Sequence, residues 1–235
     1  MNLLEEFLTE FNLLHEAMKK DAHRDQNFGK LMYYLKNRNP IVKQYYDDID
    51  KARQLRNILV HEKKEKYNIA EPTEMFVERL RLIRSKFENP ETVALFKRPI
   101  TSLNNSDTFK KALNDMRQQQ VSQYPVFEGN EFLGMLTDNG ITKWLTLVST
   151  ETFIDLSTYQ VRDLIQLDDK DTSYIIVDKN YPLHKVEEKM TELVNRKGYS
   201  KLSILITPKG HIKSRDDIIG IITPADMPRV LEYLK

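Results

Sequence analysis

The stretch Thr223-Pro-Ala-Asp226 carries the residue types and spacing with the clearest chemical meaning in the chain. At a helix start, free backbone N–H groups and a positive dipole end attract phosphate. A threonine hydroxyl can donate to that phosphate, and an aspartate three residues on can accept both hydroxyls of a ribose. The same four residues also make a good helix start, with Thr223 as N-cap, Pro224 at the first helical position and Asp226 at the third. Taken alone, they fit both readings. A related stretch, Thr137-Asp-Asn-Gly140, has glycine where the carboxylate should stand. Asp138 and Asn139 are the substitutes beside Thr137, and Asp138 has the wrong sign for holding phosphate.

Two further groups have spacing that suits chemistry. Lys209, His211, Lys213 and Arg215 occupy alternate positions, so in a β-ribbon they would share one face and offer a positive edge to a polyphosphate or cyclic dinucleotide. The alternative is a solvated hairpin whose charge Asp216 and Asp217 dilute. Arg56, Asn57 and His61 fall on one helical stretch. Cleaving RNA through its own 2′-hydroxyl needs a base of near-neutral pKa, which suits His61, and a cation for the charged phosphorane, which suits Arg56. Asn57 and His61, four apart, share a helix face, and can equally hydrogen-bond a neighbouring helix in a bundle. His15 and His23 show no ligand-like pairing, and no metal is expected.

The elements that must position these groups fall into two patterns. Up to about residue 92, apolar residues recur at helical spacing: Leu4, Phe7, Phe11, Leu14 and Met18, then Phe28 to Leu35, then Ile41 to Leu59, then Phe76 to Phe87. The spacing predicts a four-helix bundle over residues 1–92. Beyond it, short β-branched or aromatic runs (Tyr124 to Phe127, Tyr174 to Val177, Leu202 to Ile206) alternate with helical stretches, which predicts an α/β region over 93–235. Six of the seven glycines lie in that second part.

The α/β region repeats itself. Ser106 to Met116 aligns with Asn180 to Met190 at an offset of 74, and Gly134 to Ile141 aligns with Gly220 to Met227 at an offset of 86. The second copy therefore holds 12 extra residues, expected as four before Ser203, in the place of Pro125, and eight between Ile204 and Gly220. YPVF at Tyr124 to Phe127, GMLT at Gly134 to Thr137 and GIITPAD at Gly220 to Asp226 resemble the cystathionine-β-synthase (CBS) domain pattern, in tandem, with copies at about 95–150 and 160–235. The resemblance implies a Bateman module whose cleft binds an adenosine-containing ligand: AMP, ADP, ATP, S-adenosylmethionine or cyclic di-AMP. It implies a competent site at Thr223 and Asp226, with Leu202 and Ile204 beside the base and Ile176 and Val177 as apolar walls. Tyr124, Thr137 and Asp138 mark the first-copy site, which lacks the aspartate. Arg56, Asn57 and His61 resemble the motif of HEPN domains, helical bundles that are commonly homodimeric and often metal-independent ribonucleases. Together these resemblances imply a regulatory sensor in which the ligand modulates the helical domain or a partner. The alternative is a ligand-controlled ribonuclease acting on RNA across a dimer interface through Arg56 and His61.

Composition sets the outer bounds. The 235 residues are 40% hydrophobic and 30% charged, with 36 basic and 35 acidic side chains and no cysteine. That excludes disulfides, thiolate metal sites and a cysteine nucleophile. A net charge of +1 gives no global reason to bind nucleic acid. No apolar run approaches the roughly 18 residues of a membrane span, so no membrane partner and a cytoplasmic location are expected.

Overall fold

The computed structural model describes residues 2–61, 70–168, 173–197 and 202–234. The chain divides into two compact units, Met1–Glu91 with Tyr233–Lys235, and Thr92–Glu232.

In the first unit, α1 (Leu3–Ala22) begins where the Asn2 side chain accepts the Leu4 N–H at 3.2 Å, and ends where His23 turns left-handed with φ 50°. Its stripe of Phe7, Phe11, Leu14 and Met18 is buried. α2 (Phe28–Leu35) is capped by Asn27 and α5 (Glu74–Glu88) by Thr73, side-chain oxygens meeting N–H groups that no earlier carbonyl can reach. The helix expected over residues 41–59 is two, α3 (Pro40–Gln44) and α4 (Tyr46–His61), so among the described residues the unit has five helices rather than four. Tyr45 departs from helical geometry (φ −108°, ψ 21°), yet it donates to Ile41 O at 2.9 Å and accepts from Ile49 N–H at 3.0 Å. The ladder kinks without losing phase, which is why the apolar spacing runs through it. Phe7, Leu14, Leu31, Ile49, Leu80 and Ile83 form the fully buried centre. Glu10 is buried beside it and is held by Arg81 Nε at 3.3 Å and Arg84 Nε at 2.8 Å, as a carboxylate in that position must be.

The second unit contains the same small sheet twice. β1 (Leu103–Asn104) runs parallel to β2 (Gln123–Glu128), which is antiparallel to β3 (Glu131–Thr137). β4 (Tyr174–Asp178), β5 (Ser203–Thr207) and β6 (Gly220–Ile222) repeat that order. Each parallel pair needs a crossover, supplied by α6 (Phe109–Gln119) and α9 (Lys185–Lys197). α7 (Asp138–Val148) follows β3, α8 (Val161–Ile165) lies between the copies, and α10 (Met227–Tyr233) follows β6 after a 3-10 turn at Pro224–Asp226.

Strand register corrects the expected alignment. Leu103 pairs with Val126 and Val126 with Gly134; Val177 pairs with Ile206 and Ile206 with Gly220. Equivalent residues are therefore 74, 80 and 86 apart along the three strands. Leu205, not Ser203, takes the place of Pro125, facing Ile221 as Pro125 faces Met135. A two-residue shift leaves every side chain on its own face, so hydrophobic alternation cannot reveal it.

The copies share a core of Phe127 and Met135 with Leu205, Ile218 and Ile221, and Ser203 Oγ donates to Gln123 Oε1 at 2.5 Å. The segment before β1 pairs with the second copy through Thr92 with Pro182 and Lys97 with Gly220. Residue 220 must be glycine for this approach, since a Cβ there would lie 2.6 Å from Phe96 O. Among the described residues no helix is long and apolar enough to cross a membrane.

Candidate functional site

β6 ends at Ile222, and the chain turns at once into the 3-10 turn that carries Thr223 and Asp226. Thr223 donates its N–H to Asp226 Oδ2 at 2.8 Å and its hydroxyl to the same oxygen at 2.9 Å. The capping role is therefore real. It still leaves Asp226 Oδ1 outside those two bonds. Both residues are half-buried and line a cleft of about 630 Å³ within the second unit, inside the roughly 300–1,000 Å³ range of small-molecule sites.

The opposite wall comes from the first copy. Gln119 to Pro125 and Asp138 line the same cleft, together with Leu202, Ile221 and the segment Arg98 to Thr101. The two sites expected from the sequence thus share one space: Tyr124 and Asp138 from the first copy with Leu202, Thr223 and Asp226 from the second. Tyr124 is buried and its hydroxyl has no hydrogen-bond partner among the described residues. Burial, with the nearby Asp115 charge, pushes that hydroxyl's pKa up, and the side chain packs in the first copy's core with Phe109, Ala112 and Leu136.

Arg98 is the cleft residue the sequence reading missed. Its Nη2 donates to Ile221 O at 2.9 Å and lies 3.8 Å from Asp226 Oδ2. Its N–H donates to Ile219 O at 3.0 Å, beside the Lys97–Gly220 bridge. The signal was a basic residue before Pro99, next to the start of the repeat; only the pairing with β6 brings it to the site. Among the described residues that line the cleft, Arg98 is the one cation, against the carboxylates of Asp138 and Asp226.

Other expected residues lie elsewhere. Ile176, Val177 and Ile204 do not line this cleft: Ile204 is fully buried in β5, Val177 is buried in β4, and Ile176 packs on the core the copies share. Thr137 is buried and bound to Asp168. The ribbon of Lys209, His211, Lys213 and Arg215 is absent. The chain turns after β5 and forms a 3-10 turn at Arg215–Asp217, fixed because the Asp217 carboxylate accepts the N–H groups of Lys213 and Ser214 at 2.8 and 2.9 Å. Those two bonds hold the Asp217 carboxyl below its usual range. Lys209, His211 and Lys213 are exposed there. Arg215 instead donates to Gly129 O at 3.1 Å and to Asn104 Oδ1, with its guanidinium over the Phe127 ring. In the first unit Arg56 is half-buried and Asn57 exposed on α4, whose last residue is His61. The His61 side chain lies outside the described residues.

Residues 93–147 match the model of the CBS domain family, over the segment that contains the first sheet and most of α7. They are a CBS domain. With the second sheet of identical strand order, the unit is a tandem CBS-type α/β module. Solved structures similar to the chain include a protein with CBS domains from Burkholderia ambifaria MC40-6, 16% identical, covering 60% of this chain and 93% of that one with a TM-score of 0.45. Another is CBSX2, a CBS-pair protein from Arabidopsis thaliana, at 18% identity, 61% and 95% coverage and a TM-score of 0.41. A third is the CBS domain of a bacterial CNNM/CorC family Mg2+ transporter in complex with ATP, at 17% identity, 67% and 96% coverage and a TM-score of 0.40. By sequence, no curated protein matches the chain.

Proposed function

We propose that the tandem CBS module is a regulatory site for an adenosine-containing ligand, held in the cleft of Tyr124, Arg98, Thr223 and Asp226. The observation that carries this reading is the convergence of Thr223, Asp226 and Arg98 on one cleft. Asp226 accepts the ribose hydroxyls, and Arg98 and the N–H groups of the 3-10 turn face the phosphate. Among the described lining residues one cation stands against two carboxylates, which disfavours a long polyphosphate, so among the adenosine ligands AMP fits this lining better than ATP or cyclic di-AMP.

The output is a change in the helical unit or in a partner. Calorimetric titration with AMP, ADP, ATP, S-adenosylmethionine and cyclic di-AMP tests the ligand. AMP is expected to bind most tightly, with the binding lost in Asp226→Ala. No heat from any of the five overturns the reading. Hydrogen exchange over residues 2–61 with and without AMP then tests the output, and unchanged protection there, with no partner's activity altered, removes it.

A further inference from the structure

The two copies make the same pair of hydrogen bonds with carboxylates from different places. In the second copy Asp226 Oδ2 accepts the Thr223 N–H and hydroxyl. In the first copy the equivalent donors of Thr137 go to Asp168, which lies beyond α8: the N–H reaches Oδ2 at 2.7 Å, and the hydroxyl reaches both carboxylate oxygens at 3.0 Å. Gly140 makes this possible. A Cβ at residue 140 would stand 2.8 Å from Asp168 Cγ, so an aspartate at 140 and Asp168 in its present position exclude one another.

We propose that Asp168 stands in for the carboxylate missing at residue 140 and, by filling that place from the interior, closes the first copy's helix start to phosphate, so that the module takes one nucleotide. Thr137 and Asp168 are buried and neither lines the cleft, whereas Thr223 and Asp226 are half-buried and both do. The Thr137 hydroxyl is fully used: it donates to Asp168 and accepts the N–H groups of Asn139 at 3.2 Å and Gly140 at 3.4 Å. The positive end of α7 therefore already faces an internal anion. Asp138 adds a second carboxylate at the same helix start, and a phosphate arriving there meets two like charges. The closure rests on the nucleotide reading above; the substitution of one carboxylate for another does not.

The substitution is tested by moving the carboxylate. Trp144, the chain's one tryptophan, is buried on α7, so its fluorescence follows unfolding of the first copy. Gly140→Asp sets two carboxylates in one place and Asp168→Ala removes the one that Thr137 binds; each is expected to lower the melting midpoint by about 5 °C or more. The double variant Gly140→Asp/Asp168→Ala rebuilds the second copy's arrangement and is expected to recover most of that loss. A double variant that melts as low as the two losses combined overturns the proposal. AMP titration of the unsubstituted chain tests the closure: one AMP per chain supports it and two overturn it. No AMP bound defeats the nucleotide reading instead, and the melting comparison still decides the role of Asp168.

Discussion

Arg98 Nη2 stands 3.8 Å from Asp226 Oδ2 while donating to Ile221 O at 2.9 Å. A residue that precedes the first copy in sequence thus sets the charge beside the carboxylate of the second. The half-exposed guanidinium contributes little to folding, since pairs of this kind are worth about 0–1 kcal/mol. Toward the phosphate of the proposed ligand it would make a charge-assisted hydrogen bond, worth roughly 1.5–3 kcal/mol. Arg98→Ala is therefore expected to weaken AMP binding about tenfold or more with a nearly unchanged melting midpoint. Titration and melting of the same variant check this; a lower midpoint with unaltered affinity makes Arg98 a strut of the fold.

Tyr124→Phe separates stability from binding in the opposite direction. Removing a buried hydroxyl that has no partner among the described residues relieves a desolvation cost of about 1 kcal/mol or more. The unliganded protein is expected to gain stability by that order while AMP affinity stays unchanged, because the side chain packs in the first copy's core. A severalfold loss of affinity shows that the hydroxyl reaches the ligand.

Much of the fold was readable because it depends on local periodicity. The stripe of Phe7, Phe11, Leu14 and Met18 states which face of α1 is buried, and the short apolar runs around Tyr124 and Ile204 mark strands buried on both faces. Thr223 and Asp226 were readable as a candidate site because a repeated motif marks them. The features that escaped depend on pairings between distant residues. Arg98 reaches the cleft only through the bridge of Lys97 to Gly220. The place of Leu205 opposite Ile221 is set by the ladder, and a two-residue slip leaves hydrophobicity unchanged. Gly140 marked the absence of a carboxylate, but nothing local to it says that Asp168 supplies one. Arg215, assigned to a phosphate-facing edge, is consumed by Gly129, Asn104 and Phe127 on the other copy.

Glu10 tests the helical unit by itself. It is buried, and it accepts from both Arg81 and Arg84. Glu10→Gln keeps the shape but removes the charge, at an expected cost of about 2 kcal/mol, whereas exposed pairs such as Lys19 with Glu16 are worth a few tenths. Denaturant unfolding of Glu10→Gln beside Glu16→Gln checks the contrast. Two equal, small losses show that water already screens the Glu10 site.

Asp107 gives the first copy an acid limit. It sits just after β1, where Oδ2 accepts the Asn104 N–H at 2.9 Å and Oδ1 pairs with Lys111 at 2.8 Å. Burial opposes its ionisation, but Lys111, the Asn104 N–H and the more distant Arg215 outweigh that and hold its carboxyl below the usual range. A carboxyl whose folded pKa lies below its unfolded value of about 3.9 adds stability above that value and loses it as pH falls through the folded one. The melting midpoint of the unsubstituted protein, followed by Trp144 fluorescence, is therefore expected to exceed that of Asp107→Asn by a constant amount between about pH 5 and 7. The difference should shrink below about pH 4, where the unfolded carboxyl begins to take up its proton. A gap that persists undiminished at about pH 3 assigns the loss in Asp107→Asn to geometry at the turn rather than to charge.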